Sequence, residues 1–298
     1  MISSLLDDFR RSKFYTRKYL IIAGVAVAVL IIVISVAVSL GKKGGGSSPK
    51  SDVLVPLYVY PNPGAWDPLI TAIEEHPDLH FTVVVNPENG PGAQGGPNAN
   101  YTREIPKLNS YDNVRTVGYV STNYSARSVD LVLQDIRTYT TWSDTAELNL
   151  TMHGIFLDEA PSQYEAARLQ YYEQIASSIW SISGLGSDPL IIHNPGVIPD
   201  ERYLAFCNLT IAFEGTYSTY KSNDQTKAIS QFSASSKYGR KTFASIVHSV
   251  PTQLSTNKVK SFVKNLRSAS GSVFVTGLSV DYYSTFWSGW QQFVSDMA

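Results

Sequence analysis

The chain has 298 residues, of which 43% are hydrophobic and 16% charged, so its composition allows a large folded core and excludes global disorder. Its formal net charge of -1 hides an uneven distribution: residues 1–50 carry eight Lys and Arg against two Asp, and the remainder carries 16 against 23 Asp and Glu. A mildly acidic main domain excludes nucleic acid as its expected partner, since nucleic acids bind basic surfaces.

An uncharged apolar run at residues 19–40 predicts a transmembrane helix. At about 1.5 Å per residue it spans roughly the 30 Å of bilayer hydrocarbon, whereas the alternative, a cleaved signal peptide, has an apolar region of only ~7–15 residues. Basic residues are more numerous before the run than after it, which predicts a cytoplasmic segment at residues 1–18. The expected protein is a single-pass type II protein of the plasma membrane or a secretory-pathway membrane.

Residues 41–51 are rich in Gly, Ser and Lys and predict a flexible linker, so residues 52–298 are expected to form an extracellular or luminal domain. Four Asn-x-Ser/Thr sequons agree with this location and are the predicted N-glycosylation sites: Asn100, Asn123, Asn149 and Asn208. The lone cysteine, Cys207, excludes an internal disulfide and is expected to be buried.

Short apolar runs rich in β-branched residues recur along residues 52–298 and alternate with helix-like segments. We expect strands at residues 53–59, 81–85, 114–120, 153–158, 189–193, 209–213, 243–248 and 273–280. Successive starts are 28 to 39 residues apart, except for one step of 20. Asp67-Pro68 and a capping box from Ser162 to Glu165 predict helix starts. Eight such units predict a (β/α)8 barrel of the TIM type; the alternative is an open doubly wound sheet, which usually carries a glycine fingerprint that this sequence lacks.

The active site of such a barrel lies at the carboxyl ends of its strands, where this sequence places carboxylates, amides, histidines and tyrosines but no Lys or Arg. This inventory suits a neutral sugar and disfavours a phosphorylated substrate. We predict no metal site and no cofactor, because Pro77 interrupts the only helical His pair, His76 and His80. The predicted substrate-binding residues are Tyr60, Asn86, His193, Asn194, Tyr217, Asp281 and Tyr282.

Three acids at these strand ends are the predicted catalytic residues: Asp158, Glu159 and Glu214. Glycoside hydrolysis needs two carboxyl groups across the scissile bond, one to donate a proton and one to act as nucleophile or base. Successive residues of a strand point to opposite faces, so only one of Asp158 and Glu159 is expected to pair with Glu214. The alternative for each acid is a helix cap or a salt-bridge partner.

Four sequence blocks resemble the spherulin-4 family of fungi and slime moulds, including its members in glycoside hydrolase family 135. They are VPLYVYPNPGAWDPL (residues 55–69), VVVNPENGPG (83–92), HGIFLDEAP (153–161) and IAFEGTY (211–217). The resemblance implies a membrane-anchored barrel that cleaves α-1,4-linked N-acetylgalactosamine in galactosaminogalactan, with Asp158, Glu159 and Glu214 in its active site. It also implies a role in making or remodelling secreted polysaccharide. We expect the catalytic domain to be monomeric.

The chemistry of that substrate constrains the mechanism. In an α-linked N-acetylgalactosaminide the 2-acetamido group is cis to the leaving oxygen and cannot attack in line, so a carboxylate or an activated water must do so. A separation of about 5–5.5 Å between the carboxyl groups would indicate retention and ~6.5–9.5 Å inversion. Two alternatives remain: a lectin that binds the polymer without cutting it, and a structural protein of wall or spore.

Overall fold

A computed structural model describes residues 49–92, 96–144 and 148–298. Eight parallel strands close into a barrel in sequence order, each paired with the next and β8 with β1. The strands are β1 (Asp52–Leu57), β2 (Phe81–Val85), β3 (Val114–Ser121), β4 (Gly154–Asp158), β5 (Leu190–His193), β6 (Leu209–Thr216), β7 (Phe243–His248) and β8 (Ser272–Val275). Each of the eight expected runs overlaps one of these strands, so the barrel prediction is confirmed.

Helices connect most of the strands. They are α1 (Asp67–Glu75), α2 (Ala99–Leu108), α3 (Val129–Thr141), α4 (Ala166–Ser181), α5 (Tyr217–Ser222), α6 (Gln225–Ser235), α7 (Thr256–Ala269) and α8 (Trp290–Met297). The connection from β5 to β6 carries a 3₁₀ helix (Glu201–Phe206) instead of an α-helix. This shorter connection accounts for the single step of 20 residues between strand starts.

The strands are apolar along nearly their whole length because both of their faces are covered. All five residues of β2 are buried, and so are five of the six in β1. One face of each strand fills the barrel interior, and the other packs under the helices. A rigid scaffold of this kind fixes the positions of the side chains that leave its strand ends.

Two local predictions are wrong. The Ser162 capping box does not start a helix: α4 begins at Ala166, with Glu165 at its N-cap position. The Ser162 carbonyl instead accepts from the Asp200 N–H at 2.8 Å, which ties residues 159–165 to the loop after β5. The eighth strand ends at Val275, not at residue 280, and the residues after it bond to the segment after β7, where the Ser249 N–H donates to the Leu278 carbonyl at 2.9 Å.

Residues 1–48, which include the predicted membrane span at residues 19–40 and most of the predicted linker, lie outside the described residues. Among the helices that the structure describes, none is long and apolar enough to cross a bilayer.

Candidate active site

The Asn194 side chain joins two carboxyl groups at the mouth of the barrel. Asp158 ends β4, Glu214 lies near the end of β6, and Asn194 directly follows β5 between them. Its amide nitrogen, Nδ2, donates to Asp158 Oδ1 at 2.8 Å and to Glu214 Oε2 at 2.7 Å. One amide therefore holds two carboxyl groups, 56 residues apart in sequence, close to each other at the mouth of the barrel.

Each of the two acids also accepts a hydrogen bond from a tyrosine. Tyr119 of β3 donates its hydroxyl to Asp158 Oδ2 at 2.7 Å, and Tyr283, in the segment after β8, donates to Glu214 Oε1 at 2.5 Å. Tyr58 lies between these phenols, with its ring edge-on to both at centroid distances of 5.6 and 5.2 Å. Three tyrosines and one amide thus surround the acid pair.

Burial is the largest influence on the pKa of both acids and raises it in each case. For Asp158 the rise in pKa is opposed by hydrogen bonds from Tyr119, from the Glu159 backbone N–H and from Asn194. For Glu214 the rise in pKa is opposed by hydrogen bonds from Tyr283 and Asn194. Burial, reinforced by the nearby carboxylates, also raises the pKa of the Tyr119 and Tyr283 phenols, so both stay protonated donors.

Glu159 occupies a different position from its neighbour Asp158. Its backbone is left-handed, with φ of 56°, and its carboxylate accepts from the Ser121 hydroxyl at 2.5 Å. The Asn194 amide contacts Asp158 and Glu214. The geometry therefore pairs Asp158, not Glu159, with Glu214 and leaves Glu159 beside the pair.

Four predicted binding residues lie in the loops around the mouth. The Tyr282 ring stacks on His248 at 4.1 Å with an interplanar angle of 3°, and its pKa is raised by burial and then by the charges of Glu214 and Asp158, which marks its proximity to them. Asp281 has a left-handed backbone and accepts from Ser284. The other two lie after β1 and β2: the Tyr60 hydroxyl accepts from Asn100, and the Asn86 side chain accepts from the Gly90 N–H.

His193 lies away from the mouth, which corrects its prediction as a sugar ligand, whereas Tyr217 directly follows β6 and its sugar-binding role stays a prediction. His193 is only 3% exposed and its ring packs against Tyr172 of α4 at 4.7 Å. Adjacent strand residues point to opposite faces, so with Asn194 directed into the mouth His193 is directed away from it. Burial lowers the pKa of His193 to about 3. The Tyr217 ring packs against Phe262 of α7 at 4.8 Å.

The predicted glycosylation sites differ in exposure. Asn123, Asn149 and Asn208 are exposed, and Asn100 is half-buried. The Asn100 amide donates to Tyr60, and Asn208 accepts from the Ile191 N–H at 2.8 Å. Cys207 is buried as expected, and burial raises the pKa of its thiol to about 12. Across residues 49–92, 96–144 and 148–298 there is no group of three or more His, Cys, Asp or Glu that could hold a metal ion.

Four residues around the acids were not among those predicted from the sequence: Tyr58, Tyr119, Tyr283 and Ser121. Tyr119 lies within the predicted third strand and Ser121 one residue beyond its expected end, although both belong to the observed β3. The sequence offers only a weak signal for these residues. They are aromatic and hydroxyl side chains near the carboxyl ends of strands, on the face that points toward the barrel axis. In the register of β3 with β4, Ser121 pairs with Asp158. Tyr119 lies two residues before Ser121 and so points to the same face of the sheet, which brings it close to Asp158.

Comparison with known proteins places this site in a family. The model of the spherulation-specific family 4 matches residues 52–297. Spherulin-4 of Physarum polycephalum is 37% identical over 231 residues, covering 77% of this chain but slightly less than two thirds, 64%, of that protein. The solved structure of Aspergillus clavatus Sph3 in complex with GalNAc is 44% identical, with a TM-score of 0.79 over 84% of this chain and 98% of that one.

A more distant solved structure shares the architecture. The endo-beta-1,4-mannanase from Thermotoga petrophila has a TM-score of 0.56 over 85% of this chain and 77% of its own at 9% identity, a likeness of fold alone. The family model spans the barrel from the first residue of β1 to the last helix and includes the residues of the mouth. The chain therefore belongs to the spherulation-specific family 4, the spherulin-4 family.

Proposed function

We propose that the protein is a glycoside hydrolase that cleaves α-1,4-linked N-acetylgalactosamine stretches within an extracellular polysaccharide such as galactosaminogalactan. The observation that carries the proposal is the pair of largely buried carboxyl groups held by one amide at the barrel mouth. The related Sph3 was solved with GalNAc, which supports an amino sugar as the bound unit. No described ion pair joins Asp158, Glu159 or Glu214 to a Lys or Arg side chain, which favours a neutral substrate.

The hydrogen bonds around the acids support a division of roles. Asp158 accepts from three donors, which stabilise its ionised form, and we assign it as the nucleophile. Glu214 accepts from two donors and its burial favours the protonated form, so we assign it as the general acid. The 2-acetamido group of an α-linked substrate cannot attack in line, which leaves the attack to an enzyme group.

The distances favour a double displacement. Asp158 Oδ1 and Glu214 Oε2 accept from the same nitrogen at 2.8 and 2.7 Å, so these two oxygens are no more than about 5.5 Å apart. Retaining enzymes place their carboxyl groups about 5–5.5 Å apart. In the proposed first step Asp158 attacks the anomeric carbon while Glu214 protonates the leaving oxygen. In the second, Glu214 deprotonates a water that hydrolyses the glycosyl ester and releases a sugar of unchanged anomeric configuration.

The test is hydrolysis of purified galactosaminogalactan by the full-length protein, kept in detergent because of the predicted membrane span. New reducing ends are measured together with the anomer of the first product, for the wild type, Asp158→Asn and Glu214→Gln. We expect α-anomeric products from the wild type and loss of turnover in both variants. Products of β configuration would contradict the nucleophile assignment, and full activity of either variant would contradict the acid pair.

A surface lectin is the second candidate. The observation that favours it is the complex of the Sph3 relative with GalNAc, because a complex is evidence of binding and not of cleavage. A lectin would bind the polymer, release no reducing ends and keep its affinity in Asp158→Asn, since an amide also bonds to hydroxyl groups. Either activity would be exercised outside the cytoplasm if residues 19–40 anchor the chain, which protease protection of the barrel in intact membrane vesicles would test.

A further inference from the structure

The loop after β3 contains an unusual turn beside Glu159. Asn123, Tyr124 and Ser125 are consecutive and all left-handed, with φ of 46°, 53° and 71°. Left-handed backbone is unfavourable for residues other than Gly, Asn and Asp, and three such residues in succession are rarer still. Backbone strain of this kind persists only where surrounding contacts enforce it, and it concentrates at functional sites.

The contacts that enforce the turn come from the end of β4. The Tyr124 N–H donates to the Glu159 carbonyl at 2.7 Å. The buried Thr122 hydroxyl lies 2.8 Å from the Asp158 carbonyl and 3.0 Å from the Glu159 carbonyl. Arg127, at the end of the turn, donates to the Ser121 carbonyl and pairs with Asp135 at 2.6 Å. The turn is thus fixed to the same backbone that carries the catalytic candidate Asp158.

The result of this strain is an exposed aromatic ring. Tyr124 is 56% exposed, more than any other aromatic side chain in the described part of the chain. The other exposed tyrosines have partners: Tyr60 lies edge-on to Tyr101, and Tyr164 is covered by the Arg202 guanidinium. No hydrogen bond or ring contact of the Tyr124 side chain is found among the described residues. The fold therefore uses an unfavourable backbone to present a ring that does not contribute to its core.

We propose that Tyr124 is the aromatic platform of a sugar subsite adjacent to the acid pair, with the Glu159 carboxylate as its hydroxyl acceptor. The apolar face of a pyranose ring packs on an aromatic face, and a carboxylate beside it accepts from the ring hydroxyls. Because the Tyr124 backbone is bonded to Glu159, which follows Asp158, the platform binds a sugar neighbouring the one that is cleaved. This inference rests on the proposed saccharide substrate and adds a second binding position to it.

Replacing Tyr124 separates its role in binding from its role in stability. Gly accepts a left-handed backbone without steric cost, so Tyr124→Gly removes the ring and relieves the turn. We expect Tyr124→Gly to weaken binding of an α-1,4-linked N-acetylgalactosamine oligomer roughly three- to tenfold without lowering Tm. Tyr124→Phe keeps the ring and is expected to bind within about twofold of the parent protein.

The binding measurements use the full-length protein in the Glu214→Gln background, which prevents turnover, and calorimetric titration with the oligomer. Trp180→Ala is the matched control, because Trp180 is 48% exposed near the C-terminal end of α4, at the opposite end of the barrel. Asn123-Tyr124-Ser125 is also a sequon, so the protein must come from a host without N-glycosylation.

Unchanged oligomer affinity in Tyr124→Gly, or equal weakening by Trp180→Ala, would overturn the subsite. A lower Tm in Tyr124→Gly would assign the ring a structural role and overturn it as well. Cleavage by the wild type, followed separately through reducing ends, distinguishes this result from failure of the proposed function. If the wild type binds without cleaving while Tyr124→Gly still weakens binding, the hydrolase proposal fails and the subsite stands.

Discussion

An acidic side chain at each end of the barrel has a raised pKa, but different neighbouring groups oppose the rise at the two ends. At the amino-terminal end, Asp52 lines a cavity of about 470 Å³ together with His80 and Lys241. Loss of solvent raises the pKa of Asp52, and the positive charges of His80, Lys241 and Arg240 oppose that rise. At the mouth, loss of solvent raises the pKa of Asp158, and only neutral donors oppose it.

This difference explains why the acid pair at the mouth is the candidate for catalysis. A carboxylate beside fixed cations is stabilised in one protonation state, as expected of a structural group. A carboxylate held by phenols and an amide keeps its orientation while its proton affinity stays adjustable, as general acid and nucleophilic roles require. A raised pKa alone therefore does not mark a catalytic acid; what distinguishes Asp158 is that only neutral groups oppose the rise in its pKa.

The largest expected effect is a loss of turnover when the acid pair at the mouth is altered. Asp158→Asn should lower kcat by at least about 10³-fold, because it removes the proposed nucleophile while keeping shape. Asp52→Asn is the matched control at the other end and should leave kcat within about twofold. Steady-state rates of reducing-end formation measure both. Similar losses in the two variants would mean that the mouth is not the site of chemistry.

A smaller loss is expected from Asn194→Leu, which removes the shared donor at similar size. We expect kcat to fall about 10- to 100-fold, since orientation of both acids is lost but the acids remain. The Asn194 hydrogen bonds lower the pKa of Asp158 and of Glu214, so their removal raises both. Both limbs of the pH profile of kcat should therefore move to higher pH. A reduced kcat with unmoved limbs would show that Asn194 contributes only packing.

The rim should matter less than the acid pair. Tyr282→Ala removes the ring that stacks on His248 and should raise KM roughly three- to tenfold with little change in kcat, because the ring is proposed to bind sugar and not to react. Initial rates over a range of polymer concentrations separate KM from kcat. A fall in kcat at constant KM would contradict a binding role and show that Tyr282 contributes to the chemical step.

The smallest expected effect is on stability. A carboxyl group with a raised pKa binds its proton more tightly in the folded chain, so the free energy of unfolding falls as pH rises from the unfolded pKa through the folded one. Below that window the penalty is absent. Between about pH 4 and about pH 7, Tm of the wild type should fall on the order of 2–4 °C more than Tm of the Asp158→Asn, Glu214→Gln double variant, the shift given by about 1 kcal/mol. Parallel Tm curves from scanning calorimetry would contradict the raised pKa values.

The sequence by itself determined the strand count, the parallel barrel and the strand ends that carry the acids. Continuous apolar runs of four to eight residues report burial on both faces, and their spacing reports the intervening helices. Both signals are local, so no tertiary information was needed for β2 or β7, whose bounds are those expected. The family also followed from local blocks. The span at residues 19–40 and the occupancy of the four sequons remain predictions.

Tertiary structure alone decided which side chains meet. The choice of Asp158 over Glu159 depends on which of the two side chains points into the mouth and on a left-handed backbone at Glu159. Neither feature can be predicted from the residue types alone. The same parity directs Asn194 into the mouth and buries His193 against α4. Tyr119 and Tyr283 reach their acids across 39 and 69 residues of sequence. Such contacts are set by barrel closure and by the register between strands, and a single chain read residue by residue contains no distance information of that kind.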